Sequence, residues 1–238
     1  MNTERRDFVL VHGAWHGGWC WARVRDQLWA EGHRAFAPSL TGLGDRSHLM
    51  SLDLRLETHI ADVANLIEWE DLHRVVLVGH SYAGWIISGV AECVLDRLES
   101  IVFLDAVMPE DGQDMLHHGP PNAAKSIAEA QAAGRPGRPS PSAADFKVIR
   151  EQDRAWVDSK TTDHPIGVSI APIHLTGARD RVPKKTYIRT TLFDAPIFRA
   201  LHDRYAAAPG WRTYEVPCGH DAMVDVPERL VEILLAVA

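Results

Sequence analysis

The segment RVVLVGHSYAG runs through the apolar residues 75–78 into Gly79-His80-Ser81-Tyr82-Ala83-Gly84 and then into the helix-forming WIISGVAE. The order is strand, sharp turn, helix. A serine at such a turn is held in a strained backbone that pushes its hydroxyl clear of the chain, and small residues two positions either side let helix and strand approach closely. Gly79 and Ala83 meet that demand, although Ser81 read on this segment alone is equally a helix N-cap. A serine hydroxyl is a poor nucleophile near neutral pH and needs a base to take its proton, normally a histidine oriented by a carboxylate. Among 13 histidines, His220 in VPCGHDAMVDVPERL lies between the last strand and the last helix that the pattern predicts. His80 adjoins the serine, but neighbours on a turn point apart. Two aspartates compete for the carboxylate role: Asp180 in GARDRVPKK and Asp105 at the end of IVFLDAV. Asp180 has the plainer alternative of a turn residue paired with Arg179 or Arg181. Asp105 ends a strand expected beside the one that carries Ser81.

Other chemistries find less support. His12 and His16 form H-x-x-x-H, yet no Glu follows His12 and the segment reads as a loop, so no metal is expected there. Gly42 and Gly44 in TGLGDR lack the third glycine of a dinucleotide turn and the lysine of a phosphate loop, so no cofactor is expected. Cys20, Cys93 and Cys218 are odd in number and widely spaced, which fits buried thiols in a reducing compartment. The net charge is 25 − 32 = −7, without a basic run, which argues against nucleic acid. The N-terminal apolar run is too short for an export signal, and residues 230–238 fall well below the roughly 20 apolar residues of a membrane span. A cytoplasmic protein with a small-molecule partner and no membrane is expected; a homodimer is left open.

To bring Ser81, His220 and a carboxylate together, the chain needs a scaffold. Of its 238 residues, 46% are hydrophobic and 24% charged, as in a soluble globular protein with room for a large core. Short apolar runs at 8–11, 75–78, 101–104 and 173–175 alternate with helical periods at 19–31, 59–70, 81–93, 196–206 and 227–237, and weaker strands are expected at 35–37 and 213–216. This alternation predicts an α/β fold with a mainly parallel sheet flanked by helices. It lapses between Pro109 and Pro172, where AAGRPGRPSPSAAD predicts a mobile loop flanked by helices at 122–133 and 144–158. A small helical cap is therefore expected over residues 109–171, inserted between core segments 1–108 and 172–238.

On GHSYAG and on FVLVHGAWHGGWCW at the N-terminus, the sequence resembles the α/β-hydrolase superfamily, in the branch of plant methyl esterases, hydroxynitrile lyases and bacterial carboxylesterases. It departs from G-x-S-x-G in having Ala83 at the second glycine position. The resemblance implies the order serine, acid, histidine, with Ser81 as nucleophile, His220 as base and Asp180 as acid ahead of Asp105. It also implies that the oxyanion, whose binding donors typically contribute about 2.7 to 4 kcal/mol each, is held by the amides of Ala14 and Tyr82. Trp15, His12, His80, Asp105 and Met108 are expected to border the substrate, and eight tryptophans favour an apolar or aromatic one. The lyases of this branch carry a lysine after the histidine, where this chain has Asp221. A serine carboxylesterase without cofactor or metal is the expectation; a lactonase or lyase using the same triad, or a slow receptor, is the alternative.

Overall fold

Strand residues 8–10 and 75–78 distribute their side chains by a period of two. Phe8 and Leu10 join one apolar cluster with Val76, Val78, Val102 and Leu104. Val9 and Val11 join a second with Val75, Leu77, Ile101 and Phe103. Strands that are apolar on both faces must be covered on both. The computed structural model, which describes residues 5–117 and 123–238, meets this requirement with two helical layers. Asn122, the expected start of one cap helix, and residues 1–4 lie outside the described residues.

The main sheet is built from β1 (Asp7–Val11), β2 (Arg34–Phe36), β3 (Val75–His80), β4 (Leu98–Leu104), β7 (Lys184–Thr190) and β8 (Trp211–Val216). Their order is β2-β1-β3-β4-β7-β8, and every pairing is parallel. Helices α1 (Ala22–Ala30), α8 (Ala222–Asp225) and α9 (Pro227–Val237) pack together over one face. Helices α2 (Leu56–Trp69), α3 (Ala83–Val94) and α6 (Ala178–Arg181) cover the other, and α7 (Pro196–Ala206) leads into β8. The chain leaves β1 for β2 on one side and returns to β3 on the other. Open α/β sheets place their ligand sites at such a reversal, beyond the C-terminal strand ends.

Between β4 and β7 the chain forms α4 (Ala123–Ala132), α5 (Glu151–Lys160) and a two-stranded antiparallel pair of β5 (Gly137–Arg138) with β6 (His164–Pro165). The glycine- and proline-rich segment expected to be a mobile loop is tied down instead. Gly137 and Arg138 pair with Pro165 and His164, the Ala143 amide donates to Asp158, and Phe146 is buried.

One strand expectation changes. Residues 173–175 are outside the sheet: the Ile173 amide donates to Gln113 and its carbonyl accepts from Gly112, so their apolar character serves a loop that packs on the core. The strand that occupies this place in the sheet is β7, whose opening Lys184-Lys185 hides it from an apolar pattern.

Candidate active site

Strand β3 ends at His80, and Ser81 turns the chain into α3 with a φ of 54°. A non-glycine residue there is strained and must be held by its surroundings. The Ser81 amide donates to the Leu104 carbonyl at 3.1 Å, and its own carbonyl accepts from Gly84 and Val107 at 3.1 and 3.2 Å. Gly79 has no room for a side chain, since a Cβ there would lie 2.9 Å from the Ala83 carbonyl. Gly84 is more constrained still, because a Cβ would lie 1.8 Å from the Val107 carbonyl. The glycine after the alanine is thus the one that lets α3 meet the β4 loop.

His220 lies beyond β8 in the loop before α8. Its Nδ1 is 2.8 Å from Asp105 Oδ2. Asp105 follows β4 directly, with a φ of 44°. The other donors to this carboxylate are the Thr190 amide at 2.9 Å, to Oδ1, and the Thr190 hydroxyl at 2.7 Å, to Oδ2, both from the end of β7. An ionised carboxylate accepts these bonds only if Nδ1 carries the proton, which leaves Nε2 as the basic nitrogen. The backbone of His220 is fixed on both sides: its amide donates to the Phe146 carbonyl at 2.8 Å, and its carbonyl lies 3.0 Å from His80 Nε2. Phe193 packs on the ring at 4.4 Å and Phe198 stacks on it at 5.5 Å.

The expectation that Asp180 orients His220 is corrected. Asp180 is exposed on α6, ahead of β7, and its carbonyl accepts from Lys185 Nζ. All six strands run in parallel, so a residue preceding β7 sits at the sheet edge opposite the one where Ser81 and His220 emerge. The misreading follows from taking 173–175 as the strand: had it been one, Asp180 would have followed a C-terminal end.

Ser81 and His220 share the wall of a cavity of about 280 Å³ with Ala14, Trp15, His16, His80, Tyr82, Trp85, Met115, Leu116, Arg138 and Phe146. Three expected substrate neighbours, Met108, His12 and Asp105, are outside it. Met108 packs in the core beside α3. His12 is buried, with Nδ1 2.8 Å from the Gly13 carbonyl and Nε2 accepting from the Leu40 amide at 3.0 Å, so it pins the loop after β1. Burial pushes its pKa down to about 3. Asp105 supports His220 behind the wall, and His80, although it borders the cavity, is engaged with the His220 carbonyl. Burial, then the nearby His220, hold its pKa well below the usual range.

Sequence reasoning did not single out Thr190, Phe193, Phe198 or Arg138. The only local signal was Thr190 at the end of an unrecognised strand. Arg138 places its guanidinium 4.5 Å above the Trp15 ring, and burial pushes its pKa down to about 10, so it stays charged at neutral pH. Among the described residues, no group of three or more His, Cys, Asp or Glu is arranged to hold a metal ion. None of the described helices is long and apolar enough to cross a membrane.

A parallel sheet with a serine on the turn after β3 and a carboxylate-held histidine after its last strand defines the class. The chain belongs to the alpha/beta hydrolase family, whose model matches residues 8–233. It is 39% identical to a carbendazim hydrolyzing esterase of Nocardioides sp. (strain SG-4G) over 239 residues, covering 97% of this chain and 98% of that one. Methylesterase 1 of Arabidopsis thaliana is 36% identical over 114 residues, 46% of this chain and 43% of that protein. Among solved structures, an extracellular alpha/beta-hydrolase from a Paenibacillus species superimposes with a TM-score of 0.85 at 24% identity, covering 98% of this chain and 99% of that one. A pyrethroid hydrolase gives 0.72 at 20%, covering 98% and 97%. At those identities the structures carry the fold alone. With its esterase relatives, the chain is a carboxylesterase-type hydrolase.

Proposed function

We propose that the protein cleaves carboxylic esters of small, apolar or aromatic substrates through an acyl-enzyme, with Ser81 as nucleophile, His220 as base and Asp105 as the acid that orients it. The observation that carries this reading is the strained Ser81 turn on the same cavity wall as an imidazole whose Nδ1 is held by Asp105. Ser81 Oγ attacks the ester carbonyl as His220 Nε2 takes its proton. Negative charge collects on the carbonyl oxygen, and the amides of Ala14 and Tyr82, which find no acceptor among the described residues, receive it. The imidazolium, steadied by Asp105, returns the proton to the departing alcohol. Water then repeats the sequence against the acyl-serine, releasing the acid and restoring Ser81.

The substrate class follows from the wall. Trp15, Trp85, Phe146, Met115 and Leu116 favour a flat, apolar body, while Arg138 offers donors to an accepting group at one end. The excursion between β4 and β7, which supplies Arg138 and Phe146, serves as the cap. Carbendazim, named for the Nocardioides relative, belongs in the substrate panel for that reason.

The test is a panel of p-nitrophenyl esters of graded acyl length and aromaticity, with carbendazim, on the native protein and on Ser81→Ala. Ser81→Ala abolishes turnover, and a phosphonate or sulfonyl fluoride reagent labels the native protein at Ser81. Turnover that survives the substitution would refute the mechanism.

A further inference from the structure

Next to the proposed triad lies a second histidine–carboxylate pair, which the reaction above leaves unused. His16 Nε2 is 3.1 Å from Asp221 Oδ2, and both side chains are buried. His16 Nδ1 is 2.8 Å from the Ala14 carbonyl. Both ring nitrogens therefore face acceptors, and a neutral imidazole, with one N–H, would leave a bare lone pair against an oxygen. The arrangement is satisfied when His16 carries two protons and Asp221 none.

The place of this pair in the topology gives it a task. Ala14 belongs to the loop after β1, and Asp221 is the residue after His220, beyond β8. In the sheet β1 borders β2 and β3, whereas β8 borders β7 at the far edge, so no ladder joins the two loops. We propose that His16 and Asp221 form a buried imidazolium–carboxylate clamp that keeps the Ala14 turn in register with His220, making both positioning residues for the reaction. This rests on the reading of Ala14 and His220 given above.

The surroundings suit a fixed ion pair. Trp19 stacks on His16 at 5.4 Å, and Phe146 lies 5.5 Å from it. Burial by itself lowers the His16 pKa, but the charge and hydrogen bond of Asp221 and the Ala14 carbonyl leave it raised overall. Burial would raise Asp221, and His16 brings it down to about 2. Of the titratable groups around the pair, His12 and His80 are kept neutral by burial, and burial also holds Cys20 as a thiol. Asp225 is raised by burial but stays outside the pair, bound to the Ile149 and Gly219 amides. His220 and its partner Asp105 complete the set. Asp221 Oδ1, without a hydrogen-bond partner, lies 4.0 Å from His80 Nε2. The two charges of the clamp sum to zero beside His220. Asp221, which fills the position of the lyase lysine, is thus committed to His16 and absent from the cavity wall.

Two readouts test the clamp. In the native protein, nitrogen-15 NMR of the histidine rings at pH 8 shows His16 with both ring nitrogens protonated; one bare nitrogen overturns the proposal, independently of any turnover. In kinetics, Asp221→Asn lowers kcat by about 10- to 100-fold through misplacement of the reacting groups, while KM changes by less than about threefold. His16→Gln leaves Asp221 bare beside His220 and moves the acidic limb of the kcat/KM profile up by about half a pH unit or more. The double variant His16→Gln/Asp221→Asn returns the limb to its native position. Native kcat in Asp221→Asn with an unmoved profile in His16→Gln also overturns the clamp. If Ser81→Ala keeps its activity, the functional reading fails instead; if Asp221→Asn does not fold, the NMR measurement decides.

Discussion

Asp105 accepts three hydrogen bonds, and the one from the Thr190 hydroxyl reaches the same oxygen that holds His220. A hydrogen bond to a charged group contributes roughly 1.5 to 3 kcal/mol, and its loss here loosens the carboxylate that fixes the ring. Thr190→Val keeps the shape and the amide donor; it is expected to lower kcat about tenfold, equivalent to about 1.4 kcal/mol, and to lower the melting temperature by several degrees. Native kcat in this variant would mean that the amide alone holds Asp105. Ser81 and His220 were legible because a nucleophile turn and a histidine between the last strand and helix are local patterns. The choice between Asp105 and Asp180 was not local. It depended on which of two neighbouring segments, 173–175 or 184–190, enters the sheet, and apolarity pointed to the wrong one. Phe193 and Phe198 were illegible for a similar reason: only the tertiary fold brings them onto His220.

At the scale of elements, the turn between β3 and α3 is held by close backbone contact. Gly84 faces the Val107 carbonyl so tightly that Gly84→Ala must push α3 away from the β4 loop. Overpacking of this kind typically costs about 1 to 3 kcal/mol, and the denaturation midpoint in urea should fall accordingly. An unchanged midpoint would show that the turn relaxes freely. All five alternating helices and both weaker strands were visible from periodicity to within three residues; the first begins at Ala22 because residues 18–21 form a 3-10 turn. The segment around Arg138 was not, because its glycines and prolines are consistent with a free loop and with a short edge strand alike. What decides is the partner at His164–Pro165, distant in sequence.

Across the whole molecule, several histidines are buried neutral. His59 Nδ1 is bonded to the Tyr82 hydroxyl and Nε2 to the Thr41 carbonyl, and burial pushes its pKa down to about 4. His12 stands at about 3, and His80 and His164 are also pushed well below the usual value by burial. Below pH 6.5 the unfolded chain binds protons that the folded one refuses, so stability falls on acidification. At pH 5, His12 and His59 together cost about 4 kcal/mol, against a total stability of order 5 to 15 kcal/mol. His16 runs the other way: its raised pKa contributes stability fully below pH 6.5, and that contribution is lost as pH rises through its folded value. Melting followed by circular dichroism should show a steep drop between pH 7 and 5. A flat melting temperature over that range would contradict the neutral assignments.

The proposed triad depends most directly on Asp105, the carboxylate that holds His220. Measured side by side on a short p-nitrophenyl ester, Asp105→Asn should lose about 10⁴-fold in kcat, as expected when the orienting carboxylate of a triad is neutralised. Asp180→Asn should match the native enzyme. Loss of activity in Asp180→Asn with Asp105→Asn unimpaired would contradict it.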